Sequence, residues 1–156
     1  SMEALRQGLA ERPDCIVFGV GTAGCAVAAE VCRANPAASV YLLDAAPAPA
    51  APRCPGGETL RLGPPSTPGA YTEADMERHT AAALPRLDAA LLNHCRQVAV
   101  VAALGGRTGR AVAPLVIERA RLFGKAVHAF VWMPAAFEDA AARPRAQAAL
   151  QRIMLE

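Results

Sequence analysis

A seven-residue stretch, GGRTGRA at residues 105–111, constrains the fold of this chain more than any other segment. It follows an apolar run, VAVVAAL at 98–104, and precedes a segment at 112–123 where Leu115, Val116, Arg119 and Leu122 recur at helical spacing. Glycines between a buried strand and a helix let the chain turn sharply and leave the first helical N–H groups open to an anion. Here two arginines and an alanine interrupt the glycines. The segment therefore marks a phosphate-type loop and, at the same time, an alteration of one.

The same strand–glycine–helix construction occurs upstream. CIVFGV at 15–20 is a β-rich run, and Gly19-Val20-Gly21-Thr22-Ala23-Gly24 is a literal G-x-G-x-x-G. In such a motif the first glycine allows the tight turn, the second admits a phosphate, and the third permits close helix–sheet packing. Packing alone would also account for these glycines. A helix over 23–33 carries Val27, Val31 and Cys32 on one side and is stopped by Asn35-Pro36. VYLL at 40–43 is a second buried strand ending at Asp44, where a dinucleotide site would place its ribose-binding carboxylate.

Residues 45–55, rich in Ala and Pro, read as a surface loop. A short strand over 59–62 and a second loop over 64–72 follow. Thr72 or a neighbour caps a long helix over 73–93, bent or divided at Pro85. After the strand at 98–104 and the helix at 112–123, which Gly124 ends, VHAFVW at 127–132 is the last clear strand. A terminal helix over 140–155 is interrupted near Pro144. Strands alternating with helices predict one three-layer α/β domain over 1–156, a mostly parallel sheet with helices on both faces.

Composition narrows the function classes. The 156 residues are 53% apolar and poor in aromatics, and the net charge is +2 with a single lysine, Lys125, so nothing points to nucleic acid. Cys15, Cys25, Cys32, Cys54 and Cys95 form no CxxC pair and are expected as buried, reduced thiols. There is no leader-like segment and no apolar run long enough to span a membrane, so a cytoplasmic protein is expected. Ser1 ahead of Met2 reads as an added residue and is set aside. His79, His94 and His128 form no site: His128 sits in a strand pattern as a core or edge residue, and the other two sit on helices.

Two phosphate-type loops after neighbouring strands suggest a triphosphate gripped from two sides. LGGRTGRAVAPLVIERARLFGKAVHAFVWMPAAFED at 104–139 resembles the FtsZ/tubulin GTPases, whose signature is a GGGTGTG loop, then A-A-P, a helix, a strand and a P-F-x-F-E segment. IVFGVGTAGCAV at 16–27 is similar to that family's first glycine loop, and ETLRLG at 58–63 to its third strand. The resemblance implies nucleotide contacts at Gly19, Gly21, Thr22, Ala23 and Gly24 of the first loop. In the second it implies Gly105, Gly106, Arg107, Thr108, Gly109 and Arg110. Between them Gly69-Ala70 corresponds to the family's G-A-G-G-N-P-E loop, and Glu138 to its ribose-contacting Glu.

The departures bear on activity. Arg107, Arg110 and Ala111 stand where the family has Gly, Thr and Gly, the first loop is one residue short, and Cys25 replaces an Asn. The family's base-recognition segments, central helix, hydrolysis-completing acidic loop and second domain would lie beyond Glu156. The expectation is a truncated FtsZ-like protein related to cell-division and cytoskeletal GTPases. It would bind GTP or GDP weakly or not at all, require no cofactor, and not turn nucleotide over alone, with no catalytic or metal-ligating residue assigned. An apolar patch near Val127, Ala129, Val131, Leu150, Ile153 and Leu155 is expected to support a homo-oligomer or an FtsZ-type partner. Two alternatives remain: a non-enzymatic interaction or regulatory module that self-associates or binds FtsZ, and a dinucleotide-binding protein using residues 19–24 and Asp44.

Overall fold

Six consecutive uncharged residues, Cys15–Val20, form the central strand β1 of the computed structural model, and all six are buried. The structure describes residues 1–11, 15–44, 58–61, 72–92, 95–134 and 140–155. Around β1 stand β2 (Ser39–Asp44), β3 (Glu58–Arg61), β4 (Gln97–Ala103) and β5 (Ala126–Trp132), in the order β3-β2-β1-β4-β5. Every pairing is parallel. Parallel neighbours need long crossovers and cover on both faces, and five helices supply both. They are α1 (Met2–Ala10), α2 (Gly21–Ala34), α3 (Glu73–Leu91), α4 (Arg107–Leu122) and α5 (Ala142–Met154).

The alternation of side chains along β1 divides the core in two. Ile16, Phe18 and Val20 point to the face covered by α3, α4 and α5, where they meet Met76, Leu87, Val112, Val116 and Ile153. Cys15 and Val17 point to the opposite face, against Leu9 of α1 and Val27 and Val31 of α2. The expected three-layer α/β architecture is thus the one observed.

Several local expectations are refined. Thr72 does cap α3, in a reciprocal box with Asp75: its Oγ1 accepts from the Asp75 N–H at 3.1 Å, and Asp75 accepts from the Thr72 N–H at 3.0 Å. Pro85 does not divide α3, which runs unbroken to Leu91, and Pro144 lies in the first turn of α5, where a missing N–H is harmless. Helix α1 was not anticipated, and Ser1 is its N-cap, accepting from the Ala4 N–H at 3.2 Å. Cys32 is disulfide-bonded rather than a reduced thiol, while Cys15, Cys25 and Cys95 carry no disulfide. The anticipated apolar patch does not form as drawn. Ile153 is buried, Val127, Val131 and Leu150 pack against the core, and only Ala129 and Leu155 of the six are exposed.

Candidate functional site

The chain leaves β1 toward β2 and β3 on one side and later returns to add β4 and β5 on the other. The carboxyl ends of β1 and β4 therefore flank the point where the winding reverses, the usual ligand crevice of an open α/β sheet. Both glycine stretches end there. In each, the later glycines belong to the helix rather than to a loop: α2 begins at Gly21 and α4 at Arg107, earlier than the apolar spacing suggests. Neither helix has a side-chain cap at its N-terminus, where Val20 and Gly106 are the N-cap residues. The first N–H groups of both helices thus lack intrahelical acceptors and carry the positive end of the dipole.

The two helix starts touch. Gly21 adopts φ +76°, and a Cβ there would lie 3.3 Å from the Gly109 nitrogen and 3.6 Å from the Thr108 Cβ. Three other glycines are fixed by packing. A Cβ on Gly19 would come 2.6 Å from the Ala28 Cβ, one on Gly24 would come 2.2 Å from the Val101 oxygen, and one on Gly109 would come 2.1 Å from the Ala103 oxygen. Gly106 is exposed and roomy, with its nearest neighbour, the Ala103 oxygen, at 3.9 Å. Of these glycines, Gly106 leaves backbone open toward the crevice, Gly21 is buried where the two helix starts meet, and the other three bring the helices down onto the sheet.

The altered residues have definite places. Arg107 is exposed in the first turn of α4, and Arg110 turns back across the loop, its Nη1 donating to the Gly105 carbonyl at 3.0 Å. Both lie inside the helix, so the left-handed backbone that would strain an arginine is not required of them. Across the crevice, Thr22 Oγ1 donates to Asp44 Oδ2 at 3.4 Å, and Asp44 is 8% exposed at the end of β2. Thr22 and Ala23 are exposed.

Cys25, read in the sequence as a reduced thiol and as a departure from a family residue, is central to the first loop. Its Sγ–H donates to the Gly19 carbonyl at 3.4 Å and to the Leu43 carbonyl at 3.5 Å, tying the end of β1 to the end of β2. Burial, reinforced by the negative charge of Asp44, pushes the thiol up to about 12, so it stays protonated and is no nucleophile. Only its spacing from the strand ends, unreadable without the fold, could have revealed this role.

The crevice brings together residues 19–24 and 105–110 of the expected set; Gly69, Ala70 and Glu138 lie outside the described residues. His128 is exposed on β5, away from both loops. Among the described residues, no three His, Cys, Asp or Glu side chains are grouped to hold a metal ion, and no helix is long and apolar enough to cross a membrane.

No protein-family model and no curated protein matches the chain. Solved structures do. TubZ of Clostridium botulinum phage c-st, with its C-terminal tail truncated, superposes with a TM-score of 0.77 at 15% identity, over 91% of this chain and 48% of that one. The empty FtsZ dimer of M. jannaschii gives 0.74 at 21% identity, over 97% and 45%. CetZ2 of Haloferax volcanii, a GTPγS-bound protofilament, gives 0.66 at 22% identity, over 89% and 45%. The chain therefore spans less than half the length of each. What it shares with them is the FtsZ/tubulin nucleotide-binding fold, a parallel sheet with helices on both faces.

Proposed function

We propose that this chain is a nucleotide-binding-type domain of the FtsZ/tubulin kind, holding the phosphates of GTP or GDP weakly and not hydrolysing them alone. The observation that carries the reading is the meeting of two uncapped helix N-termini, at Gly21 and Gly109, at the reversal point of the sheet. The GTPγS-bound CetZ2 protofilament with this fold supports guanine nucleotide as the ligand. Weakness follows from the second loop, where the Arg110 guanidinium lies across the Gly105 carbonyl. Asp44, the carboxylate beside the first loop, is buried and bonded to Thr22. The same burial argues against the dinucleotide reading, which needs Asp44 presented to a ribose.

Thermal-shift titration with GTP, GDP, ATP, NAD and FAD, with and without Mg²⁺, tests this. Ligand that binds the native state raises Tm in proportion to the logarithm of its concentration over Kd. GTP and GDP are expected to raise Tm only near millimolar concentration, with no phosphate release above background. A rise with NAD or FAD alone, no rise with GTP and GDP, or concentration-dependent phosphate release that survives repurification would each reject the proposal.

A further inference from the structure

A nucleoside triphosphate ordinarily reaches a GTPase-type site with Mg²⁺, which neutralises phosphate oxygens and is itself held by carboxylates, hydroxyls and water. The donors described around this crevice do not suit that ion. Asp44 is 8% exposed and accepts a hydrogen bond from Thr22. The first turns of α2 and α4 contain no acidic residue. Among the described residues, no three His, Cys, Asp or Glu side chains come together as ligands. Mg²⁺ also sheds its waters reluctantly, and a hydrated dication is repelled by guanidinium groups.

What the second loop offers instead is positive charge. Helix α4 begins Arg107-Thr108-Gly109-Arg110, which sets two arginines at the end of the helix that is already positive. Cations belong at the other end, where Arg119 and Arg121 stand. Arg110 shows how far such a side chain reaches. Its Nη1 comes back to the Gly105 carbonyl at 3.0 Å, just past the carboxyl end of β4. Arg107, the first residue of the helix, is exposed, and the backbone of Gly106 beside it is open. An anion at this helix start turns both unfavourable charge–dipole contacts into favourable ones, and guanidinium is a strong donor to phosphate.

We propose that Arg107 takes the place of Mg²⁺ in this crevice, as the counter-charge of the terminal phosphate, so that nucleotide binds in its metal-free form. The inference rests on the nucleotide reading above and adds the ionic state of the ligand. Mg²⁺ chelated by the β- and γ-phosphates removes negative charge that Arg107 would meet. It therefore weakens binding instead of supporting it.

Amide chemical-shift titration with GTP at fixed ionic strength, in EDTA and in Mg²⁺, tests this on wild type, Arg107→Gln and Arg107→Lys. The ligand-free spectra show whether each variant is folded. Wild type is expected to bind GTP in EDTA, with the largest shifts at Gly106, Thr108 and Gly109, and to bind roughly two- to fivefold more weakly in Mg²⁺. Arg107→Gln should lose about tenfold in EDTA, and its affinity should no longer fall when Mg²⁺ is added. Arg107→Lys, which keeps the charge without the planar fork, should lie between the two. Binding by wild type that requires Mg²⁺ would overturn this inference and leave the nucleotide reading standing. So would an Arg107→Gln variant that matches wild type in EDTA, or an equal effect of Mg²⁺ on both. Failure of GTP to bind under any condition would remove both.

Discussion

Gly24 and Gly109 illustrate how single residues set the crevice. Each sits where a helix crosses the end of β4 so closely that an added methyl would meet a carbonyl oxygen at 2.2 Å and 2.1 Å. Because the clash is with backbone and not with a movable side chain, Gly24→Ala and Gly109→Ala are each expected to cost at least about 2 kcal/mol in chemical denaturation. Gly106→Ala, with 3.9 Å of clearance at an N-cap, should cost about 1 kcal/mol or less. Equal losses at all three would show that the helix starts are not in this contact. Cys25 makes a second residue-scale prediction. Its thiol is raised from 9.0 to about 12 in the folded chain, so between those values the folded state keeps a proton that the unfolded chain has released. Stability must then fall as pH rises, by about 1.4 kcal/mol per unit from this group. Unfolding free energies of wild type and Cys25→Ala compared from pH 8.5 to 10.5 should show that slope in wild type only; parallel curves would contradict it.

At the scale of the element, α4 joins the crevice to the rest of the fold. Arg119 forms a two-pronged pair with Asp88 of α3, at 3.1 Å and 2.5 Å, and Arg152 of α5 grips Glu118 at 2.6 Å and 2.8 Å. These pairs anchor the carboxyl-terminal turns of α4, and what happens at its amino end depends on Arg110. If its guanidinium restrains the loop through the Gly105 carbonyl, Arg110→Ala gives up that bond and lowers the ligand-free Tm while opening the N–H groups to a phosphate. The GTP-induced rise in Tm should then be larger in Arg110→Ala than in wild type. A smaller rise would identify Arg110 as a phosphate ligand rather than a restraint.

For the whole molecule, the sheet order places two helix starts side by side at one end of β1 and β4, with β5 outermost among the described strands. The strands, their parallel alternation with helices and the Thr72 cap were legible because each rests on local pattern: apolar runs of strand length, turn-forming glycines, and a hydroxyl three residues before an acceptor. The same local logic placed both helix starts too late, since glycines and arginines carry no apolar periodicity although residues 21–22 and 107–111 are helical. The purpose of individual glycines was legible only at Gly24, which the G-x-G-x-x-G spacing assigned to helix–sheet packing. For Gly19, Gly106 and Gly109, only the approach of Ala28 and Ala103 separates packing glycines from an open one. Cys25 and Arg110 became interpretable for the same reason: their partners are carbonyls at strand and loop ends, groups that every residue possesses and whose position depends on how the chain has been wound. Sequence by itself determined which segments turn, cap and pack. Tertiary structure decided which backbone atoms those segments meet, because close approach is a property of distance between elements far apart along the chain.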